Sequence, residues 1–266
     1  MSAGSRLLEH LRVDPEGRSA RTDAVVIEEP LEIRVGERAV AVTMRTPGHD
    51  AELALGFLVT EGILRSPASV LAVSSCPGNP NVVEVRVERP DDVTLPEPRR
   101  FYAASSCGLC GKASIEAIRV RAPDLRGVGA AVPLPLLASL PGRMREAQRI
   151  FSATGALHAA GLFDRSGECL CVREDVGRHN AVDKVVGWAA ARERLPLHEH
   201  LLVVSGRAGF EIVQKALVAG IPIVGAVSGP STLAVELAVE SGMTLVAFLR
   251  EGGMNVYSGA ERVEPV

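Results

Sequence analysis

The C-terminal quarter of the chain alternates between short apolar runs and stretches with helical periodicity. This alternation constrains the fold most, because strand–helix–strand units with short connections pair their strands in parallel through right-handed crossovers. The strands are continuously apolar, which predicts a sheet covered on both faces. The predicted order is a strand at 201–204, a helix at 210–219, a strand at 221–227, a helix at 232–240 and a strand at 244–249.

Hairpins and helices are predicted before this array. Alternating residues on both sides of Gly36 predict a hairpin within 31–44, and Asp50 is the expected N-cap of the helix that follows, to residue 64. Prolines between 90 and 98 indicate a domain boundary. Further strands are predicted at 70–73, 82–87, 155–164 and 169–173, and further helices at 133–149 and 180–194. The predicted organisation is a loose tail at 1–23, a small α+β domain at 24–98 and an α/β domain at 99–266.

The composition narrows the class of protein. Of the 266 residues, 47% are hydrophobic and 23% are charged, which allows a sizeable core. The net charge of −3 shows no basic excess and argues against a nucleic-acid partner. Five cysteines do not suit a secreted disulfide scaffold, and no apolar run is long enough to span a bilayer. We therefore expect a cytoplasmic protein with reduced thiols and no membrane partner.

Two thiols in a C-x-x-C loop, Cys107 and Cys110, are the main candidates for chemistry. Residues 113–119 read as a helix, so the loop lies near a helix N-terminus. The partial positive charge there and the neighbouring Lys112 favour the reactive thiolate. Three interpretations are open: a structural pair, half of a zinc site, or redox or sulfur-transfer chemistry. Zinc needs two further ligands, whereas sulfur chemistry needs only these thiols and a partner.

Polar loops follow the three C-terminal strands, at the edge where parallel sheets bind ligands. Residues 228–232 lead into a helix whose free N–H groups suit a phosphate. Arg207 and Arg250 can donate forked hydrogen bonds to phosphate oxygens. The three loops together favour a phosphorylated ligand over ordinary turns. The candidate binding residues in the first two loops are Ser205, Arg207, Ser228 and Ser231.

A dense polar segment, 174–184, surrounds another predicted helix start. Asp175 or Asn180 can cap this helix, and His179 can pair with Asp183 one turn later. A solvated first turn and a functional surface are both open interpretations. The candidate supporting residues are His158, Asp175, Arg178 and His179.

His158 lies among small and apolar residues, where it is structural, a proton shuttle or a zinc ligand. Zinc deaminases combine His-x-Glu with Pro-Cys-x-x-Cys. Here Ala160 replaces the glutamate and Ser106 replaces the proline, so deamination is not expected. Cys169 and Cys171 alternate in a predicted strand and therefore point to the same face, and we expect them to serve core or local packing.

These motifs together resemble the formate dehydrogenase accessory sulfurtransferase family (FdhD/NarQ), over nearly the whole chain from residue 24 to residue 258. The resemblance rests on segments 46–48, 52–62, 106–111, 154–158, 174–180, 205–207 and 248–250. It implies a cytidine-deaminase-like, three-layer α/β fold, without the zinc chemistry or another structural metal, in a protein that works as a homodimer.

The resemblance also implies a function. Such proteins take persulfide sulfur from a cysteine desulfurase. They pass it to the molybdenum or tungsten bis-molybdopterin guanine dinucleotide cofactor, a cargo destined for formate dehydrogenase. Cys107 matches the persulfide position, with Cys110 as its partner. The segment that matches the cofactor contact is Phe248, Leu249, Arg250, Glu251, Gly252 and Gly253.

Two alternatives stay open on the sequence. One is a dithiol–disulfide oxidoreductase, which would cycle a Cys107–Cys110 disulfide without any desulfurase. The other is a non-catalytic chaperone that only holds the cofactor, for which both cysteines would be dispensable.

Overall fold

The structure is a computed structural model that describes residues 4–94 and 123–265. Cys107, Cys110 and the helix predicted after them lie outside the described residues. The proposed boundary at residue 98 lies outside them as well, so the division into domains stays a prediction.

The chain begins with an antiparallel hairpin of two ten-residue strands, β1 (Ser5–Asp14) and β2 (Gly17–Val26). The prediction of a loose tail at 1–23 is therefore wrong from residue 5 onward. Polar and apolar residues alternate in the second half of β1, from His10 to Asp14, which is the period of a strand. The segment was predicted to be a loose tail because most of its residues are polar.

A four-stranded sheet and a helix come next. Their elements are β3 (Glu29–Val35), β4 (Arg38–Arg45), α1 (Asp50–Thr60), β5 (Val70–Cys76) and β6 (Asn79–Val87), and the strand order is β4-β3-β6-β5. The predicted hairpin and strands are confirmed. The predicted cap is wrong, because His49, with a left-handed φ of 59°, is the N-cap of α1. Asp50 is the first helical residue, and its carboxylate accepts hydrogen bonds of 3.0 and 3.1 Å from buried Arg45.

The C-terminal part of the chain forms a six-stranded sheet with helices. Its helices are α2 (Leu134–Ala147), α3 (Arg149–Thr154), α4 (Arg178–Ala190), α5 (Phe210–Val218) and α6 (Thr232–Ser241). Its strands are β8 (His158–Asp164), β9 (Cys169–Asp175), β10 (His200–Val204), β11 (Ile223–Ala226), β12 (Thr244–Arg250) and β13 (Gly253–Ser258), and a separate parallel pair joins β7 (Val132–Pro133) to β14 (Val263–Glu264).

The strand order of the large sheet is β13-β12-β11-β10-β8-β9. Strands β10, β11 and β12 are parallel, as predicted, whereas β8, β9 and β13 join them antiparallel. Helix α2 packs on one face through Leu137, Leu140 and Met144. Helices α4, α5 and α6 cover the other face. The fold is thus mixed α/β with helices on both faces of the sheet, and its likeness to cytidine deaminases stays a prediction.

Helix α4 connects the two sheets, because it packs against α1 and both helices belong to one apolar core. At their crossing, a Cβ on Gly56 would lie 1.8 Å from the carbonyl oxygen of Asp183. A Cβ on Gly187 would lie 1.8 Å from the carbonyl oxygen of Glu52. Only glycine at both positions lets the two backbones touch. Among the helices described, none is long and apolar enough to cross a membrane.

Candidate functional site at the carboxyl ends of the strands

The loops after β10, β11 and β12 meet at one edge of the large sheet. The Ala208 N–H donates to the Gly229 carbonyl at 3.2 Å, and the Phe248 N–H donates to the Ser228 carbonyl at 3.2 Å. Three helices begin at this same edge. Helix α4 follows β9, α5 follows the loop after β10, and α6 follows the loop after β11. We call this edge the strand-end site. The structure thus brings together the loops that the sequence singled out.

Two of the candidate serines use their hydroxyls locally. Ser205 Oγ accepts a 2.9 Å hydrogen bond from the Ala159 N–H. Ser231 is the N-cap of α6 and accepts a 3.3 Å bond from the Ala234 N–H. Each hydroxyl keeps its own proton for donation to a ligand. Arg207, in the loop after β10, is exposed, and Ser228, in the loop after β11, is half-buried.

The segment 248–253 contributes unevenly to the site. Phe248 has a left-handed φ of 51°, a strained conformation for an aromatic residue, and its ring is 41% exposed over Gly229. Leu249 is buried in the core on the α2 side of the sheet, so its side chain does not reach a surface ligand. Arg250, Glu251 and Gly252 are exposed where β12 turns into β13, and Gly253 pairs with Arg250.

His158 lies beside the strand-end site. It opens β8, and a Cβ on Gly206 would lie 3.3 Å from its Nδ1 atom and 3.8 Å from Cδ of Arg178. Burial lowers the pKa of His158 below its ordinary value, and the nearby charges of Arg178, His179 and Arg207 lower it further. His158 is therefore a neutral imidazole at pH 7, suited to accept a hydrogen bond.

The N-terminus of α4 carries a buried imidazole–carboxylate pair. His179 Nε2 lies 2.8 Å from Oε2 of Glu211, which stands in the first turn of α5. The prediction that His179 pairs with Asp183 is wrong. Arg178 Nε is buried and has no hydrogen-bond partner within residues 4–94 and 123–265. The sequence analysis missed Glu211, because no local pattern joins it to His179.

Asp175 is fully buried and ties the start of α4 to the loop after β4. Its carboxylate accepts from the Gly177 N–H at 2.8 Å, from Asn180 Nδ2 at 3.0 Å and from the Thr46 N–H at 3.2 Å. Lys184 Nζ lies 2.7 Å from Oδ2 of Asp175 and also donates to the Thr46 carbonyl at 2.9 Å. Neither Asp175 nor Asn180 is the N-cap of α4, as the sequence had suggested. The N-cap is Gly177, and no side chain caps this helix end.

A second buried ion pair holds three helices together. Asp183 accepts from Thr60 at 2.7 Å and from Lys215 at 3.0 Å, and Lys215 also donates to Glu61 at 3.0 Å. Burial by itself lowers the pKa of Lys215, but Asp183 and Glu61 outweigh it and raise this pKa above its ordinary value. Lys215 therefore stays charged inside the core.

The structure describes three free cysteines, Cys76, Cys169 and Cys171. Cys171 is buried, and burial raises its pKa to about 12. Cys171 therefore packs in the core, as the sequence allowed, whereas Cys169 is exposed. Within the described ranges, no three histidine, cysteine, aspartate or glutamate side chains are grouped to hold a metal ion. The absence of a structural metal stays a prediction, because Cys107 and Cys110 lie outside those ranges.

Comparisons with known proteins agree with one another. The profile of the FdhD/NarQ family matches residues 26–264. A sulfur carrier protein FdhD from Mycolicibacterium paratuberculosis is 54% identical over 257 residues, covering 92% of this chain and 93% of that protein. Another from Sulfolobus acidocaldarius is 44% identical, covering 93% and 94%. A crystal structure described as a formate dehydrogenase accessory protein from Desulfotalea psychrophila superimposes with a TM-score of 0.79 at 26% identity, over 98% of this chain and all of that one.

Proposed function

Because the chain belongs to the FdhD/NarQ family, we propose that it is a sulfur carrier that serves formate dehydrogenase. The observation that carries the proposal is the near-full-length similarity to proteins named as sulfur carriers, 54% and 44% identical in two organisms. The working compartment under this proposal is the cytoplasm, where thiols stay reduced. The expected homodimer stays a prediction.

We infer that the sulfur travels on Cys107. The Cys107 thiolate attacks the outer sulfur of a persulfide on a cysteine desulfurase. The sulfur–sulfur bond of the donor breaks, the cysteine thiolate of the donor leaves, and Cys107 becomes the persulfide. No electrons are gained or lost overall, so this step needs no oxidant. Cys110 stabilises, accepts or resolves the persulfide by the same exchange chemistry.

The acceptor in this proposal is the bis-molybdopterin guanine dinucleotide cofactor of molybdenum or tungsten, bound as cargo. The strand-end site supports this part, because a dinucleotide carries phosphates that need donors and positive charge. Helices α5 and α6 start there, and the first N–H groups of a helix have no partner inside the helix. Arg207 and Arg250 are exposed at the same edge.

Mass spectrometry after incubation with a cysteine desulfurase and cysteine tests sulfur acceptance. We expect one added sulfur on the Cys107 peptide, none in Cys107→Ser, and partial loading in Cys110→Ser. Serine is nearly the size of cysteine, but its hydroxyl is far less acidic and forms no persulfide. A Cys107–Cys110 disulfide that turns over without the desulfurase would favour the oxidoreductase. Full formate dehydrogenase activity in cells carrying Cys107→Ser would favour the chaperone and refute the carrier.

Calorimetry with GDP, a fragment of the cofactor, tests the strand-end site. Loss of one charged hydrogen bond costs about 1.5–3 kcal/mol, so Arg207→Ala and Arg250→Ala should each weaken GDP binding about 10- to 100-fold. Arg165→Ala is the matched control, because this exposed arginine pairs with Glu199 at the opposite edge of the sheet. Equal affinity in the control and in both test variants would remove the arginines from the site.

A further inference from the structure

Arg178, the first residue of α4, is a half-buried cation without a counter-ion among the described residues. Its Nε atom is sealed from water and has no hydrogen-bond partner in the ranges 4–94 and 123–265. A charged group that loses water without gaining a partner raises the free energy of the folded chain. Arg207 and Arg250 differ in this respect, because they are exposed and remain hydrated. The burial of Arg178 therefore indicates a place for an anion.

The buried carboxylates of the neighbouring elements already have partners. Oδ2 of Asp175, at the end of β9, lies 2.7 Å from Nζ of Lys184. Oε2 of Glu211, in the first turn of α5, lies 2.8 Å from Nε2 of His179. Neither carboxylate pairs with Arg178, so its charge stays uncompensated within the part of the chain that the structure describes.

A glycine lies between Arg178 and two other basic side chains. A Cβ on Gly206 would lie 3.8 Å from Cδ of Arg178 and 3.3 Å from Nδ1 of His158. Arg207 follows Gly206 directly and is exposed. Burial lowers the pKa of His158 most, and the charge of Arg178 is the next cause, whereas the carboxylate of Asp175, which raises this pKa, has a smaller effect. The electrostatic potential around Gly206 is therefore positive.

The backbone at the start of α4 adds hydrogen-bond donors to this positive region. The helix has 13 residues, its N-cap is Gly177, and no side chain caps it. The first N–H groups of a helix have no partner inside the helix and carry partial positive charge. A guanidinium presents its N–H groups as a fork that matches two oxygens of a phosphate. A phosphate at this point would receive hydrogen bonds from both the helix start and Arg178.

We infer that Arg178 and Arg207 hold the diphosphate group of the cargo between them, from the two sides of Gly206. The start of α4 supplies further N–H donors, and the imidazole of His158 borders the same place. The inference rests on the proposed function, whose cargo is a guanine dinucleotide, and it gives Arg178 a binding role beside Arg207 and Arg250.

Calorimetry of the full chain with GDP and with inorganic pyrophosphate tests the inference. Arg178→Met keeps the apolar stem but removes the charged fork, and we expect it to weaken binding of both ligands about 10- to 100-fold. Arg178→Lys keeps a positive charge without the fork, so its affinity should lie between those of wild type and Arg178→Met. Arg165→Met is the matched control, because this exposed arginine lies at the opposite edge of the sheet, and it should bind both ligands as wild type does.

NMR of His158 gives a second readout that a purely structural role for Arg178 would not change. Bound pyrophosphate adds negative charge beside the imidazole, so the pKa of His158 should rise when pyrophosphate is added to the wild-type chain. The rise should be absent in Arg178→Met at the same pyrophosphate concentration, because the anion no longer binds there.

Two results would overturn the inference. Binding of GDP and pyrophosphate by Arg178→Met within about twofold of wild type would show that water, and no ligand, compensates this cation. Equal losses in Arg178→Lys and Arg178→Met, with no change in the pKa of His158 on adding pyrophosphate to wild type, would show that the residue only supports the helix start.

The proposed function can fail separately. A wild-type chain that binds pyrophosphate through Arg178 but does not bind GDP would refute the guanine cargo and leave the diphosphate site in place. Loss of GDP binding in Arg207→Ala and Arg250→Ala, but not in Arg178→Met, would refute only the role of Arg178.

Discussion

Substituting Gly56, at the crossing of α1 and α4, tests whether the backbones of these two helices are in direct contact. The Gly56→Ala change adds a single methyl group, which would lie 1.8 Å from the Asp183 carbonyl oxygen and 2.8 Å from the Gly187 nitrogen. Both neighbours are backbone atoms and cannot rotate away. The two helices would have to separate by about 1.2 Å to bring the shorter contact to 3.0 Å.

A separation of this size affects the whole interface between the two helices. Gaps of 0.5–1 Å already forfeit a quarter to a half of the attraction between packed atoms. The buried side chains on both helices, including Leu53, Leu58, Val182 and Val186, would each lose part of their contacts. We expect Gly56→Ala to lower the free energy of unfolding by about 3 kcal/mol, at the upper end for overpacking. The intrinsic gain of alanine over glycine in a helix, about 1 kcal/mol, is smaller.

Urea unfolding followed by circular dichroism and by the fluorescence of Trp188, on α4, measures this free energy. The matched control is Gly142→Ala, because Gly142 lies in α2 and a Cβ there would meet nothing within 4 Å. This control should stabilise the protein by about 0.5–1 kcal/mol. The reasoning is refuted if Gly56→Ala unfolds within about 0.5 kcal/mol of wild type.

Two further predictions concern the buried Asp175–Lys184 ion pair and the half-buried imidazole of His158. Lys184→Met should lower the free energy of unfolding by about 3–5 kcal/mol, because the buried carboxylate of Asp175 loses the positive charge that it pairs with. The double variant with Asp175→Asn should recover much of this loss, because it removes the buried negative charge as well. The pKa of His158, followed by NMR, should lie below its ordinary value and rise in Arg178→Met. The contribution of His158 to stability is then present above the unfolded pKa of about 6.5 and is lost as the pH falls through the lower, folded pKa.

Each of these predictions has a decisive contrary result. A loss under about 1 kcal/mol in Lys184→Met, no larger than for the exposed Arg165–Glu199 pair, would show that the Asp175–Lys184 pair is not buried as described. A pKa of His158 at or above its ordinary value would show that this imidazole is solvated and distant from Arg178.

The sequence determined the elements whose signals are local. Alternating apolar runs and helical stretches gave β10, α5, β11, α6 and β12, together with their parallel pairing. The loops of the strand-end site follow from this pairing, because parallel strands end at one edge of a sheet. The sequence did not predict the strand β13, since Gly253–Ser258 is short and begins at the second glycine of a pair.

Only the tertiary structure decided which polar residues pair. Asp175 binds Thr46, which is 129 residues away, and the partner of His179 lies on another helix. The sequence placed His179 and Asp183 correctly in the first turns of a helix but paired them with each other, and it gave no sign that Asp175, at the end of β9, binds Thr46. A buried charge takes whichever opposite charge the packing brings within about 3 Å, and neighbours along the chain have no advantage once the segment is inside the core. The periodicity that fixes a strand or a helix carries no information about such pairs.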